Sequence, residues 1–140
     1  LDQQWKDARV ALNAIPETEK VPRRTELEKL IRRGEKMKKK NPWVATALSV
    51  PVPGLGKVYA GQWKDGIIGL LFVGANAWQA VRRFDKEGTD TFWGWIHGGM
   101  ALGFYTGNLY GAHKAARQQN KKKQARLKHD TEALLFPVLD

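Results

Sequence analysis

The stretch GGMALGFYTGNLYG, residues 98–111, decides the fold class because its glycines recur at a helical spacing. Six glycines in and just before it form two series with steps of four residues: Gly94 and Gly98, then Gly99, Gly103, Gly107 and Gly111. On a helix four residues turn about 400°, so successive glycines drift by only about 40° and line one groove. In lipid such a groove lets another helix approach closely. We therefore predict a helix-packing face that serves contacts within the chain or with a partner. The alternative is that glycine is simply frequent in membrane helices.

The glycine stretch lies in an apolar middle segment between two basic ends. Residues 1–42 carry 12 Lys and Arg against 7 Asp and Glu, and residues 114–140 carry 7 against 3. Residues 43–113 carry only 5 against 4 and contain two uncharged runs, 66–81 and 92–112. The pattern predicts three parts: a soluble helical pair over 1–41, a membrane hairpin domain over 42–113 and a basic tail over 114–140.

The lengths of the two uncharged runs favour a membrane hairpin. The run 92–112 has 21 residues, which as a helix span about the 30 Å of a hydrocarbon core. The run 66–81 has 16 residues and reaches across only if Trp63 and Lys64 lie at one interface and Arg82 snorkels at the other. Both runs are apolar on all faces, and Trp and Tyr cluster near their ends as in interfacial belts. The alternative is a soluble bundle with two buried helices.

The fold class predicted from these patterns is an all-α membrane protein built on a two-helix transmembrane hairpin. The segment 43–56 is apolar but is broken by PVPGLG, so we expect it to be interfacial or re-entrant. Before it we expect a helical pair, one helix over 3–14 and a second from Thr25 with a capping box to Glu28. A basic helix follows the hairpin. The basic flanks predict that both ends are cytoplasmic.

The sequence PGLGKVYAGQWKDGIIGLL, residues 53–71, resembles the opening of the two-transmembrane-helix domain families, written Pro-Gly-x-Gly-x-x-Tyr-x-Gly. The stretch YTGNLYGAHKAARQQN, residues 105–120, resembles the close of some bacterial members, and the resemblance covers about 42–120. It implies an integral protein of the bacterial inner membrane, in families whose members often carry a signal peptide and helical repeats upstream. It implies no known reaction. The residues that match the motif are Pro53, Gly54, Gly56, Tyr59 and Gly61.

Candidate chemistry is sparse, and we expect no catalytic residues and no small-molecule substrate, because no nucleophile–base arrangement is visible. We expect no metal site, because His97 and His113 would lie about 24 Å apart along a helix and cannot share one ion. His97 is the exception, since a polar residue inside an apolar span is a functional candidate. A neutral histidine there can ligate haem or a chlorophyll-type pigment, and Gly98 and Gly99 leave room for a macrocycle. The alternative is a hydrogen bond between helices, the role also predicted for Asn76 and Asn108.

Two lysine clusters flank the apolar middle, and they favour anionic lipid headgroups over nucleic acid. No aromatic residues alternate with these lysines to stack on bases, and basic clusters beside apolar spans bind lipid headgroups. The clusters are Lys38, Lys39 and Lys40, and Lys121, Lys122 and Lys123. Together these patterns predict a non-catalytic accessory or scaffold subunit that packs against larger membrane protein subunits. The alternative function is a pigment- or haem-binding subunit that uses His97.

Overall fold

The structure is a computed structural model that describes residues 2–16 and 23–135. The described residues form helices joined by turns and short loops, without strands, which confirms the all-α prediction. The helices are α1 (Asp2–Ala14), α2 (Arg24–Glu35), α3 (Pro42–Ser49), α4 (Leu55–Tyr59), α5 (Trp63–Glu87) and α6 (Phe92–Leu135).

The chain divides into two compact units. Unit 1 comprises Leu1–Lys39 and Lys121–Asp140, and unit 2 comprises Lys40–Asn120. The sequence analysis separated the basic tail at residue 114, but α6 continues through that point without a break. The tail from Lys121 onward is therefore assigned to the same unit as the two N-terminal helices rather than to a part of its own.

Unit 1 packs α1 against α2 through a small apolar contact. Leu12 of α1 and Leu30 and Ile31 of α2 are buried, and the indole of Trp5 lies so close to Gly34 that a side chain there has no room. Arg9 of α1 forms a salt bridge of 2.6 Å with Glu35. These contacts form the predicted N-terminal helical pair.

The start of α2 differs from the predicted capping box. The helix begins at Arg24, and the capping position is held by Arg23 in the left-handed conformation without a side-chain cap. Arg24 instead donates hydrogen bonds to the carbonyl oxygens of Ile15 at 3.1 Å and Leu12 at 3.3 Å. The capping box of Thr25 and Glu28 is therefore a wrong prediction, because the helix starts one residue earlier and is anchored to the end of α1.

In unit 2, α5 and α6 form the antiparallel hairpin that the two uncharged runs predict. The rings of Phe72 and Phe104 lie 5.3 Å apart near its middle, and those of Phe84 and Trp95 lie 5.5 Å apart near the connecting loop. However, none of the helices within 2–16 and 23–135 combines the length and the apolar character that crossing a membrane requires. The two predicted spans fall short of that criterion because charged residues bound the first run and glycine, asparagine and histidine interrupt the second.

The loop of the hairpin is held by hydrogen bonds to one carboxylate. The hydroxyl of Thr91 donates to Glu87 Oε2 over 2.7 Å, and the guanidinium of Arg83 donates to Glu87 Oε1. These two hydrogen bonds lower the pKa of Glu87 below 4.5, and the bond from Thr91 contributes more than the bond from Arg83. The carboxylate therefore stays ionised as the partner of both groups at neutral pH.

The segment 43–56 forms α3, a turn and the start of α4. Asn41 caps α3 by accepting a hydrogen bond from the Trp43 amide at 2.9 Å, with Pro42 at the first helical position, as the sequence predicts. The turn after α3 is joined to α6, because the Tyr105 hydroxyl donates to the Val50 carbonyl oxygen over 2.8 Å. The predicted break in this segment is thus a turn between two short helices.

The core of unit 2 consists almost entirely of small side chains. Ser49 is the largest of the fully buried side chains, and Tyr59 is the partly buried ring that packs against the core cluster. Small side chains permit close approach of helix backbones. The cluster comprises Ala45, Ala60, Ala112, Ala115 and Ala116.

The backbone contact at Gly56 yields the first prediction. A Cβ at Gly56 would overlap the Ala45 carbonyl oxygen, so Gly56→Ala should lower the free energy of unfolding by about 1–3 kcal/mol through overpacking. Gly74→Ala is the matched control, because a Cβ at that helical position meets nothing within 4 Å and the change should raise stability by about 0.5–1 kcal/mol. Thermal unfolding of the detergent-solubilised protein measures both; equal effects would contradict the contact.

Candidate functional site

The glycines of the Pro-Gly-x-Gly-x-x-Tyr-x-Gly motif have distinct backbone roles. Gly54, which follows Pro53, has φ +95° and lies against the Gly66 carbonyl oxygen of α5. The Gly56 amide donates to Ser49 Oγ over 3.0 Å. Gly61 has φ +88° in the turn between α4 and α5. A positive φ favours glycine over residues with a Cβ, so these positions fix how α3, α4 and α5 meet.

The tyrosine of the motif joins the start of α3 to the end of α4. Its hydroxyl oxygen accepts a hydrogen bond from the Asn41 amide at 3.3 Å, and the Lys40 ammonium lies 4.5 Å from the centre of the Tyr59 ring. The backbone of Lys40 is also paired at both its amide and its carbonyl with the Asn120 side chain, at 2.8 and 2.7 Å. The motif residues therefore act as structural connectors in unit 2.

The six glycines of the predicted packing face divide into two groups. Gly94 lies under the Phe84 ring, Gly98 faces Ala80, whose methyl a Cβ at residue 98 would meet at 3.9 Å, and Gly111 lies under the Lys57 side chain. These three serve contacts within the chain. A Cβ at the other three would meet nothing within 4 Å, so they are open to another molecule: Gly99, Gly103 and Gly107.

His97 is hydrogen-bonded across the hairpin. Its Nδ1 lies 3.1 Å from Asn76 Oδ1, and the Asn76 amide group donates to the Phe72 carbonyl oxygen over 2.9 Å. Since the Asn76 amide nitrogen is used on Phe72, its oxygen accepts from His97, which places the imidazole proton on Nδ1. This bond matches the alternative role predicted for His97, and it leaves Nε2 outside the contact with Asn76.

Asn108 makes only half of its predicted interhelical contact. Its amide group donates to the Phe104 carbonyl oxygen of its own helix over 3.0 Å, and its side chain occupies the space left by Gly69 of α5. Asn108 is 4% exposed, yet its Oδ1 has no hydrogen-bond partner among the described residues. A buried amide oxygen without a donor is destabilising, and this one is packed against Gly69 of α5.

The Asn108 side chain lines a groove of about 370 Å³ between α5 and α6. Its walls are apolar at Ile68, Phe72 and Phe104, and two open glycines form part of its floor. Two charged side chains also line the groove, one cationic and one anionic: Lys57 and Asp65. The sequence analysis missed both, although the position of Lys57 inside the glycine motif was a signal.

The lysine clusters predicted to bind lipid headgroups are partly used within the chain. Lys123 Nζ donates to the Lys38 carbonyl oxygen over 3.2 Å, which brings the two basic segments of unit 1 together. The Lys40 ammonium lies over the Tyr59 ring. The remaining lysines of the clusters have exposed side chains: Lys38, Lys39, Lys121 and Lys122.

The outer surface of the hairpin carries the large apolar side chains that its core lacks. Leu71 of α5 is 64% exposed, and Leu102 and Trp95 of α6 are 65% and 66% exposed. Contiguous apolar surface of this kind marks a membrane or protein interaction site. The other exposed large apolar residues of the hairpin are Trp63, Ile67, Ile68, Leu70, Phe72, Trp78, Val81, Phe92, Trp93, Met100, Phe104 and Tyr110.

Within the described part of the chain, no group of three or more His, Asp or Glu side chains is arranged to hold a metal ion. Comparison with protein-family models, with curated proteins and with solved structures finds no match to the chain. The resemblance to the two-transmembrane-helix families therefore stays a prediction from the motif residues.

The Asn76–His97 hydrogen bond yields the second prediction. His97→Leu leaves Asn76 Oδ1 unpaired and should lower the free energy of unfolding by about 1–3 kcal/mol. The double variant Asn76→Leu/His97→Leu removes both polar groups and should recover most of that loss. Thermal unfolding of the three proteins in one detergent measures the coupling, and strictly additive losses would contradict the hydrogen bond.

Proposed function

We propose that this chain is a non-catalytic accessory or scaffold subunit of a bacterial envelope membrane complex. In this role the α5–α6 hairpin lies in the inner membrane and the glycine face, formed by Gly99, Gly103 and Gly107, packs against a larger subunit. The observation that carries the proposal is the inverted distribution of side chains in unit 2, with alanine and glycine inside and leucine, phenylalanine and tryptophan outside. Helices that associate in lipid have this distribution, because apolar exteriors suit the acyl chains and small residues allow close packing.

The polar side chains that lower the hydropathy of α5 and α6 are paired or buried when the two helices form the hairpin. Hydropathy along one helix counts Asn76, His97 and Asn108 as though each faced its surroundings alone. In the hairpin the first two bond each other and the third is buried against Gly69. The hairpin as a unit therefore presents a more apolar surface than either helix, which supports insertion of the pair together.

The open glycines support a partner for the hairpin. A Cβ at Gly99, Gly103 or Gly107 would meet nothing within 4 Å in the described part of the chain, whereas Gly94 and Gly111 are covered by Phe84 and Lys57. A second helix can approach an uncovered glycine face more closely than any other part of α6. The exposed lysines on both flanks suit anionic lipid headgroups, with both ends on the cytoplasmic side.

A second candidate function is the binding of a haem or chlorophyll-type macrocycle by His97. The observation that favours it is the Nδ1 hydrogen bond to Asn76, because an imidazole held through one nitrogen presents the other to a metal. A Cβ at the nearby Gly99 would meet nothing within 4 Å, so there is open space beside His97. An absorbance spectrum of the protein purified from its own membranes tests this candidate: a Soret or chlorin band lost in His97→Leu supports it, and a colourless preparation excludes it.

The membrane assignment yields the third prediction. Leu71→Lys places a charge on an exposed apolar position of α5. Such a charge costs about 3 kcal/mol at the centre of a bilayer, whereas on a surface in water the substitution changes stability by less than about 0.5 kcal/mol. The fraction of protein that resists alkaline carbonate extraction from membranes should therefore fall. Val10→Lys is the control, because Val10 is equally exposed but lies on α1 of unit 1. The fraction of the Val10→Lys protein that resists extraction should not change. Release of the unsubstituted protein by carbonate would refute the assignment.

The partner assignment yields the fourth prediction. Gly103→Leu adds a bulky side chain to the glycine face and should remove most of the larger complex seen by native mass spectrometry of the mildly solubilised protein. Gly74→Leu is the matched control, since Gly74 is equally open but lies on α5, and it should leave assembly unchanged. Intact assembly of Gly103→Leu would count against the glycine face as the docking surface.

A further inference from the structure

The α5–α6 groove combines an apolar channel with two opposite charges. Ile68, Phe72 and Phe104 form apolar walls. Lys57 and Asp65 also line the groove, and they form no salt bridge with each other in the described part of the chain. An apolar channel that carries unpaired charges of both signs is complementary to an amphiphile with a zwitterionic head.

The end of the Lys57 side chain lies beside α6. Its Cε and Nζ occupy the space that a side chain at Gly111 would take. Lys57 belongs to α4 and Asp65 to the first turn of α5, and the turn between these helices contains Gly61 at φ +88°. The turn thus places the ammonium and the carboxylate beside the same groove.

We propose that this groove binds one phospholipid with a primary-amine headgroup of the ethanolamine type. The Lys57 ammonium pairs with the lipid phosphate, and the Asp65 carboxylate pairs with the lipid ammonium. The acyl chain lies along Phe72 and Phe104 over the open glycines. The proposal rests on the membrane location proposed above. Because Gly103 and Gly107 belong to both surfaces, the lipid and the partner helix exclude each other there.

The test is native mass spectrometry of the delipidated full chain in mild detergent, with phosphatidylethanolamine, phosphatidylcholine and phosphatidylglycerol of matched acyl chains added in equal amounts. We expect one bound phosphatidylethanolamine per chain in preference to the other two. Phosphatidylcholine lacks an N–H donor, and phosphatidylglycerol lacks the cation that pairs with Asp65. Equal retention of the three lipids, or a preference for phosphatidylglycerol, overturns the proposal.

Variants at the two charges sharpen the result. Lys57→Gln and Asp65→Asn should each lower the bound fraction of phosphatidylethanolamine about threefold, the scale of one partly exposed ion pair. Asp65→Asn should also remove the discrimination against phosphatidylglycerol. Lys64→Gln is the matched control, because Lys64 is exposed on the same turn of α5 as Asp65 but does not line the groove. Asp65 is exposed, and unchanged binding of phosphatidylethanolamine in Asp65→Asn overturns the proposal whatever Lys57→Gln shows.

The same variants separate this proposal from the proposed function. Carbonate extraction reports membrane insertion whichever lipid is bound, and it should not change in Lys57→Gln. Gly103→Leu should lower both lipid retention and assembly, whereas Lys57→Gln should lower lipid retention about threefold and leave assembly intact. Loss of assembly in Lys57→Gln would show that the groove binds a protein helix rather than a lipid.

Discussion

Unit 2 depends on the close approach of backbones where glycine removes the side chain. Gly54 lies against the Gly66 carbonyl oxygen, and Gly56 lies against the Ala45 carbonyl oxygen with its amide bonded to Ser49. These contacts bring α3, α4 and α5 together at distances that no larger residue permits. Because the interior is filled by backbone, it has no space for leucine or phenylalanine. The large apolar residues of the same helices therefore lie on the outside.

This arrangement changes which interactions stabilise the fold. Burying one leucine or phenylalanine side chain contributes about 1.5–3 kcal/mol in water, and a buried CH₂ group contributes only about 0.8 kcal/mol. The buried core cluster of unit 2 consists of five alanines, so the hydrophobic effect gives it little. Dispersion between closely packed backbones and hydrogen bonds such as Asn76–His97 must contribute more. Those interactions operate equally well when lipid surrounds the helices, whereas the hydrophobic effect between helices does not.

Periodicity and composition predict the elements of this fold better than the contacts between them. The helical pair, the Asn41 cap and the α5–α6 hairpin follow from local patterns, because capping and apolar runs depend on neighbouring residues. The capping box of Thr25 was wrong because Arg24 bonds to carbonyl groups of α1, a tertiary contact that no local pattern contains. A change in charge does not end a helix, so α6 runs through residue 114 without a break. The sequence analysis did not predict the groove lined by Lys57 and Asp65, because two turns bring those residues beside α6.

The open glycines carry an energetic argument of their own. Each glycine inside a helix costs about 1 kcal/mol relative to alanine. At Gly56 of α4 the fold requires that cost, since a Cβ has no room. At Gly99, Gly103 and Gly107 the chain itself requires nothing, because a Cβ would meet no atom within 4 Å. Three such positions sum to about 3 kcal/mol, a large fraction of the stability of a small domain. A contact outside the chain offsets that cost when a lipid chain or a partner helix lies in the space the glycines leave, and alanine at the same positions would obstruct it.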